Sequence, residues 1–394
     1  MSRRPAFRRT SRRTLRSAAI VAAVSAPLLT AGATVAASSG SLPPRSGSPG
    51  SGLPGSVSSG APVAAACAVR GLPTLGGRYG NVTAAAANGD IVGIADNTAG
   101  VAQPVLWRAG KPERIRTGLA GSVPAGLNAH GDVVGNSPNG EDTIGWVRSG
   151  SRVTQLRGTR LRGTRLAALP AAISNSGIVV GALESTEGTP AEGDNTPGSL
   201  EDEQAAVWRS PTGPPQLLAP LPGDQGAHAF AVAADGRVGG ISEGHRFRPV
   251  VWDHAGRPHV LPGLGGGYGI VRAFGPGGVA VGDAVAKDGT DHAVRWSAGG
   301  RITDLGLPAG SRTAQASGVL PGGVVVGTAQ LPAPGGGVLT RAVRWPAAEQ
   351  PQLLGRQQGP GQAMVAGAAS ARTAVGYRTD ASGGRHPVMW RCGS

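Results

Sequence analysis

Short apolar runs that end in tryptophan recur along most of the chain. The sequence holds seven tryptophans in 394 residues, and each closes a run of small and β-branched residues such as 292–296. Recurrence of this kind predicts that every run is the same strand of a repeated unit. The seven positions are Trp107, Trp146, Trp208, Trp252, Trp296, Trp345 and Trp390.

A second apolar element precedes each tryptophan run. It reads Gly-x-Val-Val-Gly in outline, and its final glycine recurs every 42 to 59 residues. Its β-branched residues favour a buried strand. The copies span residues 89–93, 131–135, 177–181, 236–240, 278–282, 323–327 and 372–376, and the last has lost its first glycine.

The dipeptides that open these elements indicate hairpins. Pairs such as Asn88-Gly89 and Asp235-Gly236 tolerate positive φ and predict tight two-residue turns. A run of small residues precedes each turn, and a segment such as 302–305 follows each tryptophan. Each unit therefore has four strands: a small-residue strand, the Val-Val strand, the tryptophan strand and a last outer strand.

Composition supports an all-β class. The chain has 67 glycines and 32 prolines, which indicates many turns, while its 40% hydrophobic residues fall in short clusters. Four short strands at this period predict the blades of a propeller. We expect a seven-bladed β-propeller of four-stranded antiparallel blades over residues 63–394, with the small-residue strand innermost and tryptophan between neighbouring blades. An open β-solenoid is the alternative.

The two cysteines lie at opposite ends of the repeats. Cys392 follows the last tryptophan, and Cys67 precedes a segment that aligns with the outer strand of other units. Aligned on the fifth unit, the two cysteines fall in one turn. The sequence therefore predicts that an N-terminal outer strand completes the last blade and that a Cys67–Cys392 disulfide closes the ring; two buried free thiols are the alternative.

The N-terminus has the features of an export signal. Basic residues 1–16 precede an apolar stretch, and Val35-Ala36-Ala37 offers small residues for cleavage, so residues 1–37 are interpreted as a signal peptide. Arg12 and Arg13 lie in a twin-arginine-like motif that lacks its usual apolar residue at Arg16, which leaves the twin-arginine and general secretory routes both open. Residues 38–62 are rich in Ser, Gly and Pro and predict a disordered linker.

The high positive charge does not indicate a nucleic-acid protein. Seven arginines within the first 16 residues account for half of the formal charge of +14. Nucleic-acid binding would require a clustered basic face with interleaved aromatic residues. No apolar segment of spanning length follows the signal, so we expect an extracellular protein, secreted or associated with the cell surface, without a permanent membrane span.

The repeat resembles the extracellular HAF repeat family. That family is named for a His-Ala-Phe run leading to tryptophan, which residues 292–296 match with valine for phenylalanine. Its Asp-Leu-Gly-Thr-Leu-Gly-Gly segment resembles residues 72–77 and 261–266, and its Asn-x-x-Gly-x-Val-Val-Gly segment resembles residues 128–135. The resemblance covers about residues 67–392 and implies an exported repeat protein, but supplies no catalytic or binding residues.

The residue types that carry chemistry are sparse. His292 and His386 occupy the repeat's own position before tryptophan, which predicts a structural role. Four further histidines lie in the fourth unit at a spacing that matches no zinc site. The small-residue strands contain no Asp or Glu, and no Gly-x-Ser-x-Gly elbow occurs. We therefore assign no catalytic residue, no metal and no cofactor.

The third unit carries two charged insertions. Residues 182–204 hold seven acidic residues and no Lys or Arg, and they are interpreted either as a cation- or partner-binding flap or as a solvated loop. Residues 157–161 and 162–166 repeat Arg-Gly-Thr-Arg-Leu. The basic and acidic segments either pair with each other or mark a charged contact surface.

These observations favour a non-enzymatic exported module that binds a protein or a glycan through loops between blades, and we expect a monomer. The alternative is a propeller hydrolase or lyase that acts on extracellular polysaccharide.

Overall fold

A computed structural model describes residues 67–140, 142–185, 203–347, 350–355 and 361–393. These residues form 29 β-strands and a single 3-10 turn at Pro276–Gly278, which confirms the all-β class. The predicted signal peptide with Arg12 and Arg13, the linker 38–62 and residues 186–202 of the acidic insertion lie outside the described residues.

The first three units follow a short N-terminal strand, β1 (Ala68–Gly71). Unit 1 comprises β2 (Gly76–Ala85), β3 (Ile91–Asn97), β4 (Ala102–Arg108) and β5 (Lys111–Arg114). Unit 2 comprises β6 (Val123–Leu127), β7 (Val133–Asn139), β8 (Asp142–Ser149) and β9 (Arg152–Gln155). Unit 3 comprises β10 (Thr159–Leu161), β11 (Thr164–Ile173), β12 (Val179–Ser185), β13 (Glu203–Trp208) and β14 (Gln216–Leu217).

The remaining four units repeat the pattern. Unit 4 comprises β15 (Gly226–Val232), β16 (Val238–Glu243), β17 (Phe247–Trp252) and β18 (Pro258–Val260). Unit 5 comprises β19 (Gly265–Phe274), β20 (Ala280–Ala286), β21 (Asp291–Trp296) and β22 (Ile302–Asp304). Unit 6 comprises β23 (Thr313–Val319), β24 (Val325–Pro332), β25 (Val338–Trp345) and β26 (Gln352–Leu353). Unit 7 comprises β27 (Ala363–Ser370), β28 (Thr373–Thr379) and β29 (Arg385–Arg391).

Strands within each unit are antiparallel and follow the order of the chain. In unit 3, β10 adds a fifth strand beside β11. Units 4 and 5 are joined into one sheet by a single parallel pair, Phe247 with Tyr268. Unit 7 receives its fourth strand from the other end of the chain, because β1 pairs with β29 from Ala68–Arg391 to Gly71–Val388. Cys67 and Cys392, which flank this pairing, are bonded to each other.

The innermost pairing of every unit contains a β-bulge. The register between the first strand and the Val-Val strand shifts by one residue at the same place in all seven described units. At this place the glycine that ends the Val-Val element faces the neighbouring backbone. A Cβ on Gly282 would overlap the carbonyl oxygen of Ile270, and one on Gly327 would overlap that of Gln315. The recurring glycine is therefore required by close backbone approach.

The turns differ from the predicted two-residue hairpins. Gly89 and Gly236 do have positive φ, at 94° and 90°, but Asn88 and Asp235 do not. The Gly89 amide donates to the Ala86 carbonyl, and the Ala86 amide donates to the Asp90 carbonyl. These are three-residue loops, in which a type I turn is followed by one left-handed glycine. In these two turns only the glycine has positive φ, whereas both residues of Gly277-Gly278 in unit 5 do, at 68° and 74°.

Seven hydrophobic clusters lie between neighbouring units, one for each successive pair and one between units 7 and 1. Each holds one tryptophan. Trp252, for example, packs with Val207 and Leu218 of unit 3, and Trp107 packs with Val375 of unit 7. All seven indoles are at most 3% exposed. The tryptophans therefore fill the space between sheets.

Unit 2 departs from the predicted alignment of the tryptophans. Trp107 and Trp296 pair with Ile91 and Ala280, the first residues of their Val-Val strands. In unit 2 that position belongs to Arg148, which pairs with Val133, whereas Trp146 pairs with Gly135. Trp146 thus lies two residues earlier than its counterparts. Gly135 makes the shift feasible, because a Cβ there would collide with the Trp146 ring.

The first strands of the units contact one another in a continuous series. The strand β2 contacts β6, and the contacts continue through β11, β15, β19, β23 and β27. Contacts between β27 and β2 return the series to its start. Unit 7 therefore packs against unit 1, and the fold is β-propeller-like.

Candidate functional site

A groove of about 550 Å³ lies between units 2 and 3. One wall is the start of β8 in unit 2, and the other is the hairpin of β10 and β11 in unit 3. The link 155–158, which joins the two units, also contributes to the lining. This volume falls within the range of about 300–1,000 Å³ that is typical of small-ligand sites.

The duplicated basic segment builds the hairpin wall. Its two copies pair with each other, with Thr159 opposite Leu166 and Leu161 opposite Thr164. The turn between them is Arg162-Gly163, with φ of 51° and 94°. Two successive positive φ values are typical of a type I′ turn, which matches the twist of a two-residue hairpin. Units 1 and 2 have no strand equivalent to β10 in their described residues, so this wall is particular to unit 3.

Arginines dominate the charged lining of the groove. Among the described lining residues, Arg157, Arg160 and Arg165 are accompanied by one carboxylate, that of Asp142, which gives this part of the lining a formal charge of +2. Arg160 and Arg165 are direct cross-strand partners, an arrangement in which like charges repel. Arg165 Nη1 lies 3.9 Å from Asp142 Oδ2, and Arg160 Nη1 donates to the Gly163 carbonyl at 3.0 Å. The groove is suited to an anionic group.

A second polar cluster is buried where unit 5 meets unit 6. Asp283 is fully buried and forms an ion pair with Arg272, which lies at the bulge of β19. Asp291, at the start of β21, accepts a hydrogen bond of 3.1 Å from Gln315 of unit 6. Burial raises the pKa of Asp291 to about 8, and the nearby charge of Asp283 adds to the rise. The Asp291 carboxyl is therefore largely protonated at neutral pH.

The equivalent position in unit 3 also holds an acid. Glu203, like Asp291, lies five residues before its tryptophan. Its Oε2 lies 2.6 Å from Nδ1 of His228, on the first strand of unit 4, and both side chains are at most 5% exposed. The His228 ring stacks on Phe230 at 4.2 Å. Both acids thus connect the third strand of one unit to the first strand of the next.

The sequence places Glu203 in the acidic insertion 182–204, interpreted as a flap or a solvated loop, whereas the structure buries this side chain at the start of β13. An acid five residues before tryptophan is the signal that marks both bridges, and it also occurs in unit 2 at Glu141, which lies outside the described residues. The bridge uses the tryptophan strand, whose first residue reaches across the boundary between units. Their geometry indicates that the two acids join neighbouring units.

His292 and His386 are held by carboxylates near the start of the tryptophan strand. His386 Nε2 lies 3.0 Å from Asp380 Oδ2, and His292 Nδ1 lies 2.9 Å from Asp304 Oδ2. The Thr290 hydroxyl lies 2.8 Å from His292 Nε2, which superficially resembles a nucleophile–histidine–acid set.

The hydrogen-bond directions argue against that chemistry. The Thr290 hydroxyl donates its hydrogen to Asp288 Oδ1 at 2.6 Å, so it cannot also donate to His292. A general base must accept the proton of its nucleophile. The His292 arrangement therefore orders the β20–β21 turn.

The other features named from the sequence are the histidines of unit 4 and the acidic insertion. The histidines are separated in space, and most of the insertion lies outside the described residues. His254 contacts the Asp235 carbonyl, while His259 Nε2 lies 3.3 Å from Asp253 Oδ2. In the described ranges, no group of three or more His, Cys, Asp or Glu side chains could hold a metal ion. No helix in the same ranges is long and apolar enough to cross a membrane.

Comparison with known proteins gives the fold and leaves the function open. No family model and no curated protein sequence matches the chain. A solved structure of puromycin hydrolase is similar over 80% of this chain, with a TM-score of 0.52 and 15% sequence identity. This chain spans about half the length of that protein, since the match covers 52% of it.

Two other similar structures are a binding protein and a lectin. YCF48 bound to D1 peptide has a TM-score of 0.42 and 10% identity, with 83% of this chain and 95% of that chain covered. The BP39L lectin from Burkholderia pseudomallei has a TM-score of 0.40 and 14% identity, with 84% and 96% covered. The similarity to the puromycin hydrolase structure, at 15% identity, supports a β-propeller-like fold and no specific function.

Proposed function

We propose that the chain is an exported, non-enzymatic seven-bladed β-propeller that binds a ligand through loops between its blades. The ring is supported by the cyclic contacts of the seven first strands and by the seven clusters between units. The pairing of β1 with β29 and the Cys67–Cys392 bond support closure at the junction of the two chain ends. The repeat motifs support membership of the HAF repeat family.

Export is supported by both ends of the chain. Residues 1–37 have the order of basic, apolar and small residues that signals secretion. Disulfides persist in oxidising compartments, so the Cys67–Cys392 bond fits a non-cytoplasmic protein. Both observations favour an extracellular location.

The observation that carries the binding function is the groove between units 2 and 3. It is open and concave, its lining combines polar and apolar groups, and one wall is an added hairpin that the fold itself does not require. Loops and added hairpins on a rigid scaffold commonly carry binding residues. The buried acids of units 3 and 5 are engaged in bridges between units, which favours binding over acid–base catalysis.

A glycan-array and pull-down screen with the purified chain tests this function. The matched variant deletes residues 157–161, which leaves one copy of the duplicated segment as the link and removes the hairpin wall. We expect a ligand that the wild type retains and the deletion variant loses, while both melt cooperatively. A chain that retains no ligand, or that releases reducing ends from polysaccharides, would contradict the proposal.

A further inference from the structure

We propose that the groove between units 2 and 3 binds the carboxylate of an acidic oligosaccharide. This inference rests on the proposed binding function and names its ligand class. The groove is defined by its lining, which includes Arg157, Arg160, Arg165, Asp142 and Gln155.

The arrangement of the arginines indicates a carboxylate. Arg160 and Arg165 lie directly opposite each other on β10 and β11, so an anion between them would relieve their mutual repulsion. Within the described part of the chain, no hydrogen bond or ion pair involves the guanidinium of Arg157, while its backbone carbonyl accepts the indole N–H of Trp208 at 2.8 Å. That bond fixes the backbone from which the Arg157 side chain extends. Arginine binds carboxylates through two parallel hydrogen bonds, which adds geometric specificity.

The neutral lining favours a sugar over an acidic peptide. Asn139, Gln155, Thr143 and Thr159 present hydroxyl and amide groups, each able to donate and accept hydrogen bonds. Asp142 can accept hydrogen bonds from sugar hydroxyls, which a chain of glutamate residues lacks. A uronic-acid chain combines one carboxylate per residue with several hydroxyls. The composition of the groove matches that combination.

The test uses tetragalacturonate, its methyl ester and hexaglutamate as probes, with binding to the purified full chain measured by calorimetry. The groove variant is Arg157→Gln with Arg160→Gln. Its control is Arg114→Gln with Arg301→Gln, which removes two exposed arginines that do not line the groove. We expect the wild type to bind tetragalacturonate at least about tenfold more tightly than its methyl ester. The groove variant should bind tetragalacturonate at least about tenfold more weakly than the wild type, and the control variant should bind it unchanged. Binding by the wild type should weaken at higher salt.

Equal binding of the methyl ester, or binding of hexaglutamate as tight as that of tetragalacturonate, would overturn the assignment. So would an undiminished affinity in the folded groove variant. If no acidic sugar binds while the array still yields a ligand that the hairpin deletion loses, the ligand class is wrong and the binding function stands. If the array also yields nothing, both proposals fail.

Discussion

At the scale of single residues, five of the seven indole N–H groups join their unit to the segment that enters it. Trp252 Nε1 donates to the Ala219 carbonyl at 2.7 Å, and Trp296 Nε1 donates to the Pro262 carbonyl at 2.8 Å. In each case the acceptor follows a leucine whose own amide is bound by the preceding unit's third strand, as Leu261 is by Pro249. The segment that enters a unit is therefore held by two units. The apolar indole ring and the indole N–H both contribute to the contact between these units.

Trp390 provides a natural comparison for the contribution of this hydrogen bond to the free energy of unfolding. Its ring is as buried as that of Trp252, yet its Nε1 has no hydrogen-bond partner among the residues that the structure describes. We expect Trp252→Phe to destabilise the protein by about 0.5–1.5 kcal/mol more than Trp390→Phe, because only the first removes an indole hydrogen bond, the one to the carbonyl of the exposed Ala219. Both changes remove similar volume. Equal losses in denaturant unfolding would show that the indole N–H contributes little.

Asp291 predicts a specific pH dependence. Its folded pKa of about 8 exceeds its ordinary value of 3.8, so the folded state keeps a proton that the unfolded state releases. The stabilisation from this proton is fully present below about pH 4 and is lost as pH rises towards 8. The free energy of unfolding of the wild type should therefore fall between pH 4 and pH 8. In Asp291→Asn we expect this fall to be smaller by at least about 1.4 kcal/mol, the free-energy equivalent of one pKa unit.

The measurement is urea unfolding of the wild type and of Asp291→Asn from pH 2 to pH 9. Asp380→Asn serves as the control of opposite sign, because hydrogen bonds from Ser382 and His386 hold the pKa of Asp380 below its ordinary value. The stability that the Asp380 carboxylate provides should therefore be lost as pH falls below about 3.8, and Asp380→Asn should differ from the wild type in this dependence at acidic pH. Parallel stability curves for the wild type and Asp291→Asn would contradict the assignment.

At the scale of strands and turns, the repeated features were predictable and the local exceptions were not. The four strands of each unit follow from periodicity, since small residues, valines and tryptophan mark the first three. The three-residue turns depend on backbone hydrogen bonds such as that from Gly89 to Ala86, which the dipeptide alone does not specify. The shifted Trp146 depends on the space at Gly135 and on its hydrogen bond of 3.0 Å to Ser137 Oγ, both tertiary effects.

The hairpin of unit 3 holds an arginine in an unfavourable backbone conformation. Arg162 has a φ of 51°, which residues other than Gly, Asn and Asp seldom adopt. We expect Arg162→Asn to stabilise the protein by about 0.4–1 kcal/mol, because asparagine suits the first central position of a type I′ turn. Thermal unfolding measures the gain, and Arg152→Asn outside this turn is the control. A lower melting temperature would argue that the turn has another conformation.

At the scale of the whole molecule, the junction of the chain ends could be predicted and the groove could not. The two cysteines align in one turn of the repeat, so their pairing followed from register. The groove arises from a hairpin that, in the described parts of the chain, occurs in unit 3 and in no other unit. Periodicity gives no information about a segment that is not repeated. Its arginines were visible in the sequence, but their shared wall required the pairing of Arg160 with Arg165.

Removing the disulfide by Cys67→Ala with Cys392→Ala tests how the ends are held together. The bond spans a sequence separation of 325 residues, and loss of such a cross-link increases the entropy of the unfolded chain. We expect a loss of about 2–5 kcal/mol in the free energy of unfolding. The folded state should also change, because β1 would then be held by its pairing with β29 and by the bond from the Leu72 amide to the Pro387 carbonyl.

Hydrogen exchange locates this change within the molecule. The amides of β1 and β5 are a matched pair, since both strands lie at the outer edge of a sheet and only β1 lacks a continuous chain connection to its own unit. In the double variant, β1 amides should exchange faster while β5 amides keep their protection. Uniform loss of protection would mean that the seven units unfold together, and unchanged β1 protection would mean that hydrogen bonds and packing suffice to hold β1 against β29.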